Sequence, residues 1–224
     1  MIQLTKAWRS AYPGAAVGVL AVKNVSNPAD HPQLDARKEQ LAEQLRTRYA
    51  GYDRASLREI PTLQAYHRYY KRFKKTYHLQ LQLESIALQS KAIPSGAGLV
   101  EAMFMAELGS LLLTSGHDLT NVQLPVRIEA ADGSETYTRI NRQEQTLKAG
   151  DMYIADLDGI LSSIIYGPDY RTRIRDTTTE ALFTVYAPPG IESSDVAGHL
   201  EDTLDTIRIF APQVEVISKG VYEA

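Results

Sequence analysis

The sequence contains no cysteine. This absence excludes disulfide bonds, thiolate catalysis and zinc sites built from cysteine, and it is usual in proteins of a reducing compartment. No apolar run reaches the ~18 residues that a membrane-spanning helix needs, and no charged, apolar and small-residue signal series opens the chain. We therefore expect a cytoplasmic protein that has no membrane partner.

Neither sign of charge dominates the chain. The 224 residues include 24 Lys and Arg and 27 Asp and Glu, which gives a net charge of −3. A nucleic acid is therefore not attracted to the molecule as a whole, and any contact with RNA must depend on a local cluster of cations. Because the chain also lacks repeats and linker-like segments, we predict a single domain over residues 1–224.

Several motifs of common active sites are missing as well. The five histidines show neither His-x-x-x-His nor His-Glu-x-x-His spacing, so no metal site is predicted. The sequence has neither a phosphate loop nor the spaced glycines of a dinucleotide site, and no cofactor is predicted. Ser162 and Ser163 lie outside a Gly-x-Ser-x-Gly frame, which argues against a nucleophile-elbow serine hydrolase.

The pattern of apolar residues predicts both helices and strands along the chain. Helical spacing predicts helices over Pro32–Tyr49, Thr62–Phe73, Gln80–Ser90, Leu99–Leu113 and Ser193–Ile209. Apolar runs and alternation predict strands over Ala15–Val25, Val126–Glu129, Tyr137–Ile140, Met152–Ala155, Ile160–Tyr166, Ala181–Ala187 and Val214–Ile217. The turn signal Ala131–Ser134 predicts a hairpin between the second and third of these strands.

A cluster of cations occupies the second predicted helix and its end. No acidic residue occurs between Glu59 and Glu84, and five cations lie close together in that interval: Arg68, Lys71, Arg72, Lys74 and Lys75. One interpretation is a basic surface with interleaved aromatics that contacts RNA phosphates. The other is an amphipathic helix with buried tyrosines and merely solvated cations.

A second group of cations lies between the strands predicted at 160–166 and 181–187. Arg171, Arg173 and Arg175 alternate there with other residues. They are candidates for further RNA contacts, and ordinary surface ion pairs are the alternative.

Two short polar segments are candidates for a binding pocket. Ser95 and Gly96 precede a predicted helix, where free backbone N–H groups can bind an anion, although a tight turn explains the same residues. His117 and Asp118 form a polar pair after an apolar helix, where a structural histidine is the alternative.

Taken together, five segments resemble the tRNA-binding and editing domain of the phenylalanyl-tRNA synthetase beta subunit, the combined domain called B-three/B-four. Their order and spacing carry the resemblance over about residues 15–216, which we take as the core of the domain. The segments are Tyr69–Lys75 (YYKRFKK), Ile93–Gly109 (IPSGAGLVEAMFMAELG), Ser115–Leu119 (SGHDL), Leu147–Gly167 (LKAGDMYIADLDGILSSIIYG) and Arg173–Val185 (RIRDTTTEALFTV).

The resemblance implies a single α/β domain with a central mixed β-sheet, surrounding short helices and a pocket near these segments. In that family the pocket hydrolyses mischarged tyrosyl-tRNA by positioning the RNA 3′ end and a water molecule. Ser162, Ser163, Gly167 and Thr184 join the pocket candidates on this basis. The chain departs from the family where Leu99 and Ala102 replace polar residues, and Thr184 stands where the synthetase commonly has an acidic side chain.

Two main hypotheses for function follow from these observations. The first is a tRNA-binding protein that acts as an aminoacyl-tRNA deacylase in trans. The second is a binding module for an amino-acid-like small molecule that has lost tRNA editing, and a purely structural role is a third. The synthetase's catalytic core is absent, so the chain by itself is not an aminoacyl-tRNA ligase.

Overall fold

The computed structural model describes residues 1–224 and contains seven α-helices and eleven β-strands. The helices are α1 (Lys6–Ala11), α2 (Pro32–Arg48), α3 (Arg54–Arg58), α4 (Pro61–Arg72), α5 (His78–Leu83), α6 (Gly98–Ser110) and α7 (Ser193–Phe210). The strands are β1 (Ile2–Leu4), β2 (Ala16–Lys23), β3 (Leu113–Asp118), β4 (Val126–Ala130), β5 (Thr136–Thr138), β6 (Glu144–Thr146), β7 (Met152–Ala155), β8 (Ile160–Ser163), β9 (Gly167–Pro168), β10 (Glu180–Ala187) and β11 (Glu215–Glu223). A π-helical turn, Glu84–Leu88, extends α5.

The longest strands form a four-stranded antiparallel sheet in the order β11-β2-β10-β3. Helix α7 packs on this sheet, and its approach depends on Gly18 in β2. A Cβ atom at position 18 would lie 2.6 Å from Cγ1 of Val196 and 3.3 Å from Cδ1 of Leu200. Because neither side chain has room to withdraw freely, we expect any larger residue there to overpack the core.

A second large sheet contains five strands in the order β1-β4-β7-β8-β9. Strand β1 is parallel to β4, and the remaining pairs are antiparallel, so this sheet is mixed. Strands β5 and β6 form a separate two-stranded hairpin. The α/β prediction with a mixed sheet is confirmed, and the strands divide between two large sheets.

Residues from both large sheets contribute to one cluster of 55 buried apolar side chains. Helix α4 begins with Pro61 at its first turn, where the fixed φ angle of proline favours a helix start. Its inner face contributes Tyr66, Tyr69 and Tyr70 to this cluster. No helix combines the length and apolar composition that a membrane crossing requires.

Two local predictions differ from the structure. The helix predicted to reach Leu113 ends at Ser110, because Leu111 adopts a left-handed conformation with φ of 65° and β3 follows directly. The predicted hairpin between residues 126–129 and 137–140 is also wrong. Strand β4 pairs with β1 and β7, whereas β5 pairs with β6.

Candidate functional site

A cavity of about 340 Å³ lies between the two large sheets. Strands β3 and β10 supply one wall, and the segment through β8 and β9 supplies the other. Helices α4 and α6 close its inner end with the buried residues Tyr70 and Glu107, and the exposed His78 of α5 also lines it. The cavity opens to solvent beside the exposed side chain of Ile140. We take this cavity as the candidate site.

Four of the predicted pocket residues lie on the strands around this cavity, and two of them line it. Ser163 and Gly167 belong to its lining. Ser162 lies outside the lining, and its hydroxyl is 2.6 Å from the hydroxyl of Tyr186, which belongs to the lining. Thr184 is fully buried in β10, and its hydroxyl donates to the Ser115 carbonyl at 3.4 Å.

The predicted pair His117 and Asp118 lies at the end of β3, behind the cavity wall. His117 is fully buried, and its ring nitrogens contact the hydroxyls of Ser115 and Thr172 at 2.9 and 2.7 Å. Asp118 accepts hydrogen bonds from the hydroxyls of Thr120 and Thr178. Asp118 therefore orders the two neighbouring loops, and His117 contacts Ser115, which lines the cavity.

The remaining pocket candidates, Ser95 and Gly96, belong to another part of the surface. The Ser95 hydroxyl accepts a hydrogen bond from Lys38 Nζ at 2.9 Å, and the Gly96 N–H donates to Glu101. Lys38 also forms ion pairs with Glu101 at 2.8 Å and Asp35 at 2.9 Å. The structure thus places these two residues at a buried ion-pair cluster between α2 and α6, and away from the lining of the cavity.

The five cations around α4 all have exposed side chains. We call Arg68, Lys71, Arg72, Lys74 and Lys75 the basic surface, and none of them forms an ion pair. The Arg72 guanidinium lies 5.4 Å from the centre of the Tyr12 ring. Lys75 Nζ lies 5.9 Å from the centre of the Tyr166 ring, and Tyr166 lines the cavity. Lys75 is therefore the member of the basic surface that lies beside the cavity lining.

The second group of cations has more internal partners. Arg171 donates to the Asp156 carboxylate at 2.8 Å and to the Asn121 carbonyl at 2.6 Å. The Arg173 guanidinium stacks 3.7 Å from the centre of the Tyr170 ring. Arg175 is exposed. Of the three, Arg175 presents its charge most openly to solvent.

No protein-family model matches the sequence, and no curated protein matches it either. A solved structure shares the fold. It is an N-terminal fragment of the phenylalanyl-tRNA synthetase beta subunit from Pyrococcus horikoshii, with 11% sequence identity and a TM-score of 0.50. The match covers 96% of this chain and 50% of that fragment, so the chain spans about half the fragment's length. At this identity the likeness shows the fold alone.

The most perturbed acidic group of the cavity was not predicted from the sequence. Glu107 projects from α6, and burial raises the pKa of its carboxyl to about 8. One carboxyl oxygen accepts a hydrogen bond from the Thr114 N–H at 2.7 Å, and the side chain lines the cavity. The signal available in the sequence was a single acidic residue within the apolar run MFMAELG.

A second buried acid, Asp151, lies at the start of β7. Burial raises its pKa to about 7, and the Tyr69 hydroxyl donates to one of its oxygens at 2.8 Å. Its other oxygen has no hydrogen-bond partner. Arg139 supplies a cation to the cavity, with its Nε donating to the Tyr166 carbonyl at 3.0 Å. The structure brings together no group of three His, Asp or Glu side chains that could hold a metal ion.

Proposed function

We propose that the protein binds tRNA on the basic surface, with the RNA 3′ end directed into the cavity. The observation that carries the proposal is the absence of ion pairs at all five cations of the basic surface, one of which, Lys75, lies beside Tyr166 of the cavity lining. Cations without ion-pair partners keep their full charge for phosphates, and binding then gains free energy from the release of counterions. The fold shared with a phenylalanyl-tRNA synthetase fragment supports tRNA as the nucleic acid.

The construction of α4 supports the same proposal. The hydroxyls of Tyr69 and Tyr70 donate to Asp151 and to the Ile164 carbonyl, so its inner face is fixed to the sheets. The cations then project from a rigid support. A rigid support lowers the entropy lost when a charged side chain contacts a ligand.

Hydrolysis of a mischarged aminoacyl-tRNA in trans is the activity that we propose for the cavity. Its volume of about 340 Å³ suits a single amino-acid residue attached to a terminal nucleoside. Hydroxyl groups of Ser115 and Ser163 line it, and Glu107 supplies an acidic group at its inner end. These groups can orient an ester and an attacking oxygen. Holding two reacting groups in the right geometry can by itself account for much of a rate enhancement.

Charge reversal tests the proposed RNA contact. We expect Lys71→Glu, Lys74→Glu and Lys75→Glu together to weaken tRNA binding strongly. The slope of log affinity against log salt should also fall by about 2–3, since each lost phosphate contact removes ~0.7–0.9 from it. The matched control is Lys23→Glu, Lys91→Glu and Arg208→Glu, which changes the net charge equally at positions outside the basic surface. Equal affinity of the two triple variants would contradict the proposal.

The small-molecule module is a second candidate, favoured by the presence of the Glu107 carboxyl and the Arg139 guanidinium in the lining of one cavity. The carboxylate of an amino acid can pair with Arg139, and its ammonium can donate a hydrogen bond to the Glu107 carboxyl. Calorimetric titration with a panel of free amino acids tests this candidate. Binding of an amino acid by a protein that binds no tRNA would favour it.

A further inference from the structure

Ser115 is the first member of a hydrogen-bonded series that ends on a carboxylate. Its Oγ lies 2.9 Å from Nε2 of His117, and Nδ1 of the same ring lies 2.7 Å from Oγ1 of Thr172. The Thr172 hydroxyl in turn donates a short hydrogen bond to Oδ1 of Asp169. Nδ1 of His117 is 3.8 Å from that same carboxylate oxygen. We call these four residues the Ser115 relay.

The positions of the hydrogens in the relay follow from its donors and acceptors. An ionised carboxylate only accepts, so the single hydroxyl hydrogen of Thr172 points to Asp169. Thr172 Oγ1 must then accept a hydrogen bond from Nδ1–H of His117. This tautomer leaves Nε2 unprotonated, and the Ser115 hydroxyl donates to it. A neutral histidine oriented in this way is a general base for the serine.

The surroundings hold the relay in place. His117 and Thr172 are fully buried, and Asp169 is 3% exposed. Asp169 also accepts hydrogen bonds from the Thr172 N–H at 3.2 Å and has the Arg171 guanidinium 3.8 Å away. Ser115 alone among the four lines the cavity. The relay therefore presents the Ser115 hydroxyl to this cavity.

Two other hydroxyls of the cavity lack this arrangement. Ser163 Oγ accepts a hydrogen bond from the Tyr166 N–H and has no histidine partner. Thr114 Oγ1 lies 2.7 Å from Nε2 of His199, but that ring contacts Ser110, whose hydroxyl donates to a backbone carbonyl. Burial also lowers the pKa of His199 to about 4, which makes it a weak base.

We propose that Ser115 is a nucleophile that hydrolyses carboxylic esters entering the cavity, with His117 as its general base and Thr172 and Asp169 as positioning residues. Ser115 Oγ attacks the ester carbonyl carbon while its proton passes to Nε2 of His117. The bond from the carbonyl carbon to the alcohol oxygen then breaks, and the alcohol leaves with the proton from Nε2. Water, deprotonated by His117, cleaves the acyl-serine and releases the carboxylic acid.

This inference goes beyond RNA binding, because the relay and the basic surface share no residue. It applies to any ester that fits the cavity. With an aminoacyl-tRNA, the leaving alcohol would be a ribose hydroxyl and the acid would be the amino acid. The nucleophile would then be a side chain of the protein, in contrast to direct attack by water.

A serine-directed fluorophosphonate and the ester p-nitrophenyl butyrate test the proposal on the full chain. We expect one covalent adduct, located on Ser115 by peptide mass analysis, and hydrolysis of the ester above the spontaneous rate. Ser115→Ala and His117→Gln should each reduce both reactions by about 100-fold or more. Ser110→Ala, whose hydroxyl contacts a histidine outside the cavity, should leave both unchanged. An adduct on Ser163, or no adduct, would overturn the proposal.

A second variant keeps the test decisive if Ser115→Ala does not fold. Because the chain has no cysteine, Ser115→Cys introduces its single thiol. At pH 7 we expect iodoacetamide to alkylate this thiol at least 10-fold faster in the folded protein than in urea, and the His117→Gln change to remove the difference. Equal rates would overturn the proposal. The charge-reversed triple variant should still react with the fluorophosphonate, so failure of tRNA binding and failure of the relay give different results.

Discussion

Protonation of the Glu107 carboxyl, which lines the cavity, also affects the stability of the fold. The carboxyl lies on an apolar helix and is surrounded by the core, so the charged form loses most of its hydration. The pKa of about 8 means that the folded protein holds a proton there at neutral pH, whereas an unfolded chain releases it near 4.5. The proton therefore stabilises the folded state below about pH 8.

This titration predicts that the free energy of unfolding falls as pH rises. Between pH 4.5 and 8 the folded state binds more protons than the unfolded state, and Asp151, with its pKa of about 7, acts in the same direction. In the Glu107→Gln variant, the decrease in the free energy of unfolding between pH 6 and 8 should be smaller by about 2 kcal/mol. Urea unfolding followed by the fluorescence of the buried Trp8 measures this difference.

A control variant and the titration of another buried group bear on this assignment. The exposed Glu39→Gln change should leave the pH dependence unaltered. His199 works in the opposite direction, because burial lowers its pKa to about 4 and stability is lost as pH falls below about 6.5. Equal pH dependence of Glu107→Gln and the unchanged protein would contradict the assignment of the proton to Glu107.

The residues of the Ser115 relay show why the candidate site was only partly predictable from the sequence. His117 stood out in the sequence because a histidine followed by an aspartate after an apolar run is conspicuous. Its partners Thr172 and Asp169 lie more than fifty residues away, and hydrogen bonds of this range leave no local pattern. Ser115 was missed because a serine two residues before a histidine gains meaning only when both side chains share one face of a strand.

At the scale of elements, tyrosine hydroxyls fix α4 to both sheets. Tyr66 accepts a hydrogen bond from the Leu113 N–H at 2.8 Å and donates to the Tyr186 carbonyl, so it connects the helix to β3 and β10. Tyr70 reaches the Ile164 carbonyl at 2.9 Å, just after β8. The helix that carries the basic surface is thus attached on both sides of the cavity.

We predict that Tyr66→Phe destabilises the protein although it keeps nearly all of the buried ring. The change leaves a buried N–H and a buried carbonyl without their partner, which costs about 1–3 kcal/mol. His67→Ala, on the exposed side of the same helix, should change the free energy of unfolding by less than about 0.5 kcal/mol. Urea unfolding of both variants at one pH compares the two costs. Equal effects would show that the hydroxyl contacts contribute nothing.

Elements with a strong local signal were predicted well, and strand pairing was not. The ends of β2, α4 and α7 were predicted to within one or two residues from the apolar run of the strand and the helical spacing of the two helices. Strand β3 was not predicted, because Leu111 to Leu113 continue the apolar character of α6. Only the backbone turn at Leu111 separates the helix from the strand. Gly133 correctly indicated a turn, and its φ is 101°. The strand that pairs with β4 is nevertheless β7, which is selected by long-range packing.

At the scale of the whole molecule, the two sheets share one core and one set of hydrogen bonds. Strand β7 illustrates this arrangement, because Met152 and Ile154 enter the large core and Tyr153 and Ala155 enter a smaller cluster of six residues under the β5–β6 hairpin. The Tyr186 hydroxyl of β10 contacts the Ser162 hydroxyl of β8 at 2.6 Å. If the four-stranded sheet unfolded, the other sheet would therefore retain only this six-residue cluster.

We therefore predict that residues 1–224 unfold as a single domain in one cooperative transition. Far-ultraviolet circular dichroism, which follows all helices and strands, and Trp8 fluorescence, which follows the α1 region, should give the same urea midpoint and the same slope. A ligand held in the cavity should shift both transitions equally, because it contacts both sheets. Two separate midpoints, or a ligand that moves only one of them, would show that the sheets belong to independent domains and that the cavity is a cleft between them.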